Sequence, residues 1–155
     1  KARPSWKPDV EFFEHALGFR VGNYGMKTWS DLFSDRQLVA LGTFYGLVQE
    51  AREKVTADAS ACPGSGDQHV SLHRGGSGAT AYADAVAVYL AFAADRASDY
   101  GSALCSWHNG PKMQALRNTF GRQTIPIVWD FAEGCPFSDS TGNWLKNIDW
   151  VAKAV

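Results

Sequence analysis

Apolar residues recur along this chain with two different rhythms. From Ser34 onward, Leu38, Leu41, Tyr45, Val48 and Val55 fall at helical spacing and define one face of a helix. Ser34 is a good N-cap, and Gln37 stands three residues later in the capping-box position. The spacing predicts a long helix over about 35–59, with Gly42 and Gly46 letting another backbone approach closely. A second helix is expected over about 81–100, capped by Thr80 and stopped by Gly101. Between Tyr82 and Ala94 its only charge is Asp84, a pattern expected of a helix buried inside a larger assembly. A short helix is expected over Lys112–Phe120, after Pro111. Thr124–Trp129 reads as a strand (about 124–130), which Pro126 restricts to an edge or a start. Leu145, Ile148, Val151 and Val155 then mark an amphipathic helix over about 144–155.

The remaining segments lack a period. Residues 1–33 mix Pro4, Pro8, Gly18, Gly22 and Gly25 with Trp6, Phe12, Phe13, Phe19, Tyr24, Trp29 and Phe33. Glycine and proline interrupt regular structure, while so many aromatics need a surface to bury against. An irregular arm lying across a larger body satisfies both. Residues 63–78 carry two Gly/Ser clusters and read as a loop.

A length of 155 residues suits one domain, and 45% hydrophobic with 20% charged residues is a globular balance. The formal charge of −1 supplies no global attraction to nucleic acid, so any DNA contact must come from a local patch. Three widely spaced cysteines do not form a secreted disulfide framework, and reduced thiols in a cytoplasmic protein are the expectation. No apolar run approaches membrane-spanning length. The chain opens at Lys1, its first methionine is Met26, and its last helix runs into the terminus without a cap; a segment excised from a longer polypeptide is expected.

Several groups of residues carry potential chemistry. Cys62, His69 and His73 offer ligand types for zinc but no fourth ligand, and no metal is expected. Gly75-Gly76-Ser77-Gly78 precedes a helix, yet lacks the lysine and preceding strand of a P-loop, and a flexible connector is the stronger reading. Asp84 is expected either to pair with an arginine or to lie exposed at the first turn, where the helix dipole favours an acid, in preference to facing a ligand. The stretch from Trp129 to Phe137 sets Trp129, Asp130, Phe131, Glu133 and Phe137 at a strand end. Its aromatics suit either stacking on a flipped base or plugging a core, and both readings stay open. Lys112, Arg117 and Arg122, with Trp107 nearby, suit phosphate contact with stacking, or else a solvated helix face.

Four blocks carry a resemblance: Tyr24–Phe33, Arg36–Leu41, Ala81–Phe92 and Ile125–Phe137. In this order they resemble large bacterial and archaeal adenine-specific DNA methylases that carry an N-terminal domain of unknown function. The resemblance covers nearly the whole chain from about Tyr24. It implies a region between a glycine-rich S-adenosylmethionine motif and an Asp-Pro-Pro-Tyr motif, neither of which occurs here. Gly134-Cys135-Pro136-Phe137 lacks the acid and first proline of the latter. The implied fold is mainly α with one or two short strands, a helix-rich segment of a larger Rossmann-like α/β methyltransferase. The implied parent methylates adenine N6 from S-adenosylmethionine, in restriction-modification or phage defence in a prokaryotic cytoplasm. Its partners are duplex DNA and the remaining domains of the same polypeptide. This segment by itself is expected to have no catalytic residue and no activity. A structural or protein-interaction module without a nucleic-acid role is the alternative.

Overall fold

A computed structural model describes residues 1–13, 18–62, 69–111 and 113–154. The Gly64–Gly66 cluster, Lys112 and Val155 lie outside the described residues. The architecture is mainly helical: α1 (Asp35–Ser60), α2 (Ala79–Tyr100) and α3 (Trp144–Ala152), with β1 (Ser106–His108) and β2 (Ala115–Arg117).

Helix α1 begins where its capping box places it. The Ser34 amide donates to Gln37 Oε1 at 2.8 Å, and the Gln37 amide donates to Ser34 Oγ at 3.4 Å. Asp35 adds a negative charge at the positive end of the helix dipole. Gly42 and Gly46 do not admit a neighbouring backbone, since a Cβ at either would meet nothing within 4 Å. Thr43 instead returns its hydroxyl to the Val39 carbonyl at 2.8 Å.

Helix α2 starts at Ala79, with Gly78 as its N-cap, two residues before the expected start at Ala81. The cause lies just upstream, where Leu72–Arg74 forms a 3-10 turn and the chain folds back on itself. A Cβ on Gly76 would lie 2.0 Å from the Val70 carbonyl oxygen, so only glycine fits this reversal. Within the described residues α2 is not buried all round. The buried residues of α2 are alanines: Ala79, Ala81, Ala83, Ala93, Ala94 and Ala97. Tyr82, Val88, Tyr89 and Phe92 are exposed. Small side chains thus set a close approach to α1, while the bulky apolar ones point outward.

The expected helix over 112–120 is replaced by a hairpin. β2 pairs antiparallel with β1, placing Ser106 opposite Arg117 and Trp107 opposite Leu116. Asp99 draws the following residues into a turn: Phe120 N donates to Oδ1 at 2.7 Å and Asn118 Nδ2 to Oδ2 at 2.8 Å. The Thr119 amide donates to the Asp99 carbonyl at 2.8 Å. Those bonds take the donors a continuing helix would have used.

In place of the expected strand over 124–130 there is a single parallel bridge, Phe19 to Ile125. Pro126 has no amide hydrogen to donate, and the neighbour is the irregular arm, which presents no strand edge to extend the ladder. Helix α3 stops at Ala152, short of the expected end at 155, as its last turn tightens and Ala154 N donates to the Val151 carbonyl at 3.0 Å. At its start, Asn143 Oδ1 accepts from Lys146 N at 2.8 Å. Trp144 stacks on Phe44 with centroids 4.4 Å apart, joining α3 to α1.

The described part of the arm is held by local bonds and by contacts with later segments. Asp31 Oδ2 accepts from the amides of Lys27 (2.7 Å) and Thr28 (2.9 Å), closing a capping box on the 3-10 turn Trp29–Leu32. Val21 and Leu32 from the arm meet Leu104 and Ile125 in one buried cluster, with Phe12, Phe19 and Trp29 packed around it.

Candidate nucleic-acid interface

The hairpin and the turn after it build the most polar concavity associated with the expected site residues. Side chains alternate across a strand pair, so the Ser106–Arg117 pair occupies the sheet face opposite the Trp107–Leu116 pair. Arg117 and Ser106 open onto a cleft of about 330 Å³, which Asn118, Thr119, Arg122 and Thr124 also line. Pro126 and Val128 also line it. The structure therefore brings Arg117 and Arg122 together. Trp107 is exposed on the other sheet face and does not join them. Lys112 lies outside the described residues.

Neither guanidinium has a carboxylate partner among the described residues. The cleft wall is held from behind. Thr119 is buried, its hydroxyl 2.6 Å from Ser102 Oγ, while Ser102 Oγ accepts from Leu104 N at 2.9 Å. Asp99 fixes Asn118 and Phe120 as described above. Two guanidiniums with no carboxylate partner among the described residues, over a cross-braced wall, can receive an oxyanion, and arginine is suited to bidentate contact with phosphate.

The Trp129–Phe137 stretch does not form one site. Trp129 is 80% exposed and meets Tyr24 edge-to-face, with centroids 5.2 Å apart. Trp129 is not among the residues that line the arginine cleft. Asp130 and Phe131 are exposed. Glu133 turns to the start of α1, where Arg36 Nε donates to both carboxylate oxygens at 3.0 and 2.9 Å. That hydrogen bonding, reinforced by the opposite charge, raises the Arg36 pKa above its ordinary value. Phe137 is 84% exposed, its ring 6.3 Å from that of Phe44. Glu133 and Phe137 thus belong with α1, away from the paired arginines.

Asp84 is paired. Its Oδ1 accepts from Arg52 Nε at 2.8 Å and its Oδ2 from the Leu72 amide at 3.0 Å. The Leu72 amide first, and then Arg52, hold its carboxyl below the usual carboxylate range. It ties α1, α2 and the Leu72–Arg74 turn together. No group of three or more His, Cys, Asp or Glu side chains among the described residues is placed to hold a metal ion. The Gly75–Gly78 run does not follow a strand, as the glycine-rich turn of a P-loop would. A 3-10 turn precedes it, and Gly76 is pressed against Val70. No helix among the described residues is long and apolar enough to cross a membrane.

Sequence reasoning missed Ser106, Asn118, Thr119 and Thr124, which line the cleft, and Asp99, which braces it. The available signal was Asn118-Thr119-Phe120-Gly121, a turn-forming run directly after an alternating segment. No family model, curated protein or solved structure matches this chain.

Proposed function

We propose that the chain is a non-catalytic segment of an S-adenosylmethionine-dependent adenine-N6 DNA methyltransferase. In this reading it packs on the catalytic core and contacts the DNA backbone through the Arg117–Arg122 cleft. The observation that carries the DNA contact is the pair of arginines, without carboxylate partners among the described residues, lining one braced cleft. The parent class rests on the four ordered sequence blocks. Methyl transfer itself is assigned to flanking polypeptide, which supplies the cofactor site and the Asp-Pro-Pro-Tyr motif. Phosphate contacts position a protein on DNA without reading sequence, and that role asks only for local charge on a near-neutral chain.

The test uses the polypeptide encoded by the complete reading frame. It is expected to carry both motifs and to transfer labelled methyl groups to adenine in duplex DNA. Arg117→Ala/Arg122→Ala is expected to raise the KM for DNA with little change in kcat. Absence of both motifs would overturn the parent class. An unchanged KM would overturn the DNA contact.

A protein-interaction module is the second reading, favoured by the exposed apolar side chains of α2. Tyr82, Tyr89 and Phe92 follow helical spacing, and beside them Ile148 and Val151 of α3 line an apolar groove with Tyr89. Salt-insensitive association with another protein, and none with DNA, would favour it.

A further inference from the structure

The arginine cleft offers more than positive charge. Arg117 and Arg122 share it with the apolar residues Leu104, Pro126 and Val128. Ser106 and Thr124 add hydroxyls. Its volume of about 330 Å³ reaches the range of small-molecule sites, about 300–1,000 Å³. A bare phosphate group would occupy only part of that space and would leave the apolar lining in water.

The charge of the ligand follows from the side chains around it. Both arginines are exposed, and neither has a carboxylate partner among the described residues. Asp99, the acid that braces the turn, already accepts from Phe120 N on Oδ1 and from Asn118 Nδ2 on Oδ2. A phosphomonoester carries about −1.5 to −2 near pH 7 and matches two such cations better than a phosphodiester with its single charge. The apolar lining sets a second requirement. In a duplex the bases are stacked within the helix and cannot reach Leu104, Pro126 or Val128. A nucleotide that is free, or that ends a strand, can remove its sugar and base from water against them while its phosphate meets the guanidiniums.

We propose that this cleft binds a nucleoside monophosphate unit, with its phosphomonoester on Arg117 and Arg122 and its sugar and base on Leu104, Pro126 and Val128. The unit is a free mononucleotide or the 5′-phosphate end of a DNA strand. The proposal rests on the reading of the cleft as a phosphate site, and adds an end group to the backbone phosphates named there.

Thymidine 5′-monophosphate, titrated into the protein at neutral pH and followed by NMR, is the probe. Saturable shifts are expected at Ser106, Arg117, Thr124 and Val128. Its methyl ester, a diester with one charge, is expected to bind about tenfold more weakly, and inorganic phosphate, which lacks the ring, at least as weakly as that. Arg117→Ala/Arg122→Ala is expected to abolish the shifts. Arg117→Lys/Arg122→Lys keeps the charge but loses the bidentate fork, and is expected to bind several-fold more weakly should the alanine variant not fold. A single strand bearing a 5′-phosphate, set against the same strand with a 5′-hydroxyl, separates the two sources. Competition by the phosphorylated strand alone assigns the strand end, and competition by neither assigns the free nucleotide. Equal competition by both strands would overturn the proposal. So would the absence of saturable shifts, equal binding of the nucleotide and its methyl ester, inorganic phosphate binding as tightly as the nucleotide, or nucleotide binding unchanged in either double variant. A duplex with 5′-hydroxyl ends, measured in parallel, keeps the two readings apart. Arginine-dependent duplex binding without nucleotide binding overturns this proposal alone, and nucleotide binding without duplex binding overturns the backbone contact alone.

Discussion

The helical pair α1–α2 and the aromatic arm hold themselves together by opposite means. The buried side chains of α2 are all alanine, and those of α1 are Gln37, Leu38 and Phe44. In the arm, Val21 and Leu32 are fully buried and meet Leu104 and Ile125, with three aromatic rings packed edge-on around them. Apolar burial scales with the area removed from water, so one arm residue such as Leu32 contributes more than one alanine of α2. Periodic sequence marks where helices form, but the largest fully buried apolar side chains, Leu32 and Val21, sit in the aperiodic part. The long helices are therefore the frame, and the irregular segments are the centre of the core.

The sharpest way to break this contrast is Leu32→Ala. It is expected to cost about 2–5 kcal/mol in urea unfolding, as for a large-to-small change at a fully buried site. A loss below that of a surface change would remove the arm from the core. Next comes Ala93→Leu, which forces bulk into the fully buried alanine face and is expected to cost about 1–3 kcal/mol. Free tolerance would mean the helices are not in close contact.

Asp84→Asn should have a smaller effect, and one that depends on pH. The folded-state pKa of Asp84 lies below its ordinary value, so its contribution is present above about pH 3.9 and lost as the pH falls through the lower folded value. The stability gap between wild type and Asp84→Asn is expected to narrow as the medium is acidified below that point. A gap independent of pH would contradict the pairing with Leu72 N and Arg52. The smallest effect is expected for Phe92→Ser on the outward face of α2, within about 0.5 kcal/mol of wild type. A larger loss would show that another surface covers this face.

How much of this was legible follows from where the chain's bonds are local. The α1 start was readable because both halves of its capping box lie within three residues. The pairing of Asp84 with an arginine was readable from the cost of burying a lone carboxylate, although its partner Arg52 was not. The β1–β2 hairpin was not readable. Ala115–Arg117 is only three residues long, and the turn beyond it is fixed by Asp99, from nearly twenty residues upstream. The expected strand near Ile125 failed because a strand needs a partner edge, and the arm supplies one bridge only. Of the expected site residues, Arg117 and Arg122 share a cleft because the turn folds back between them. Glu133 is withdrawn because Arg36, far away in sequence, clasps it. Such long-range partners leave no trace in local pattern.

The central functional claim is that Arg117 and Arg122 together receive phosphate, and the salt dependence of duplex DNA binding tests it most directly. Each phosphate neutralised contributes about −0.9 to the slope of log Kobs against log salt, so Arg117→Ala/Arg122→Ala is expected to make the slope shallower by roughly 1.8 and to weaken binding alike for all sequences. A slope identical in wild type and double variant, or no DNA binding at low salt, would contradict it.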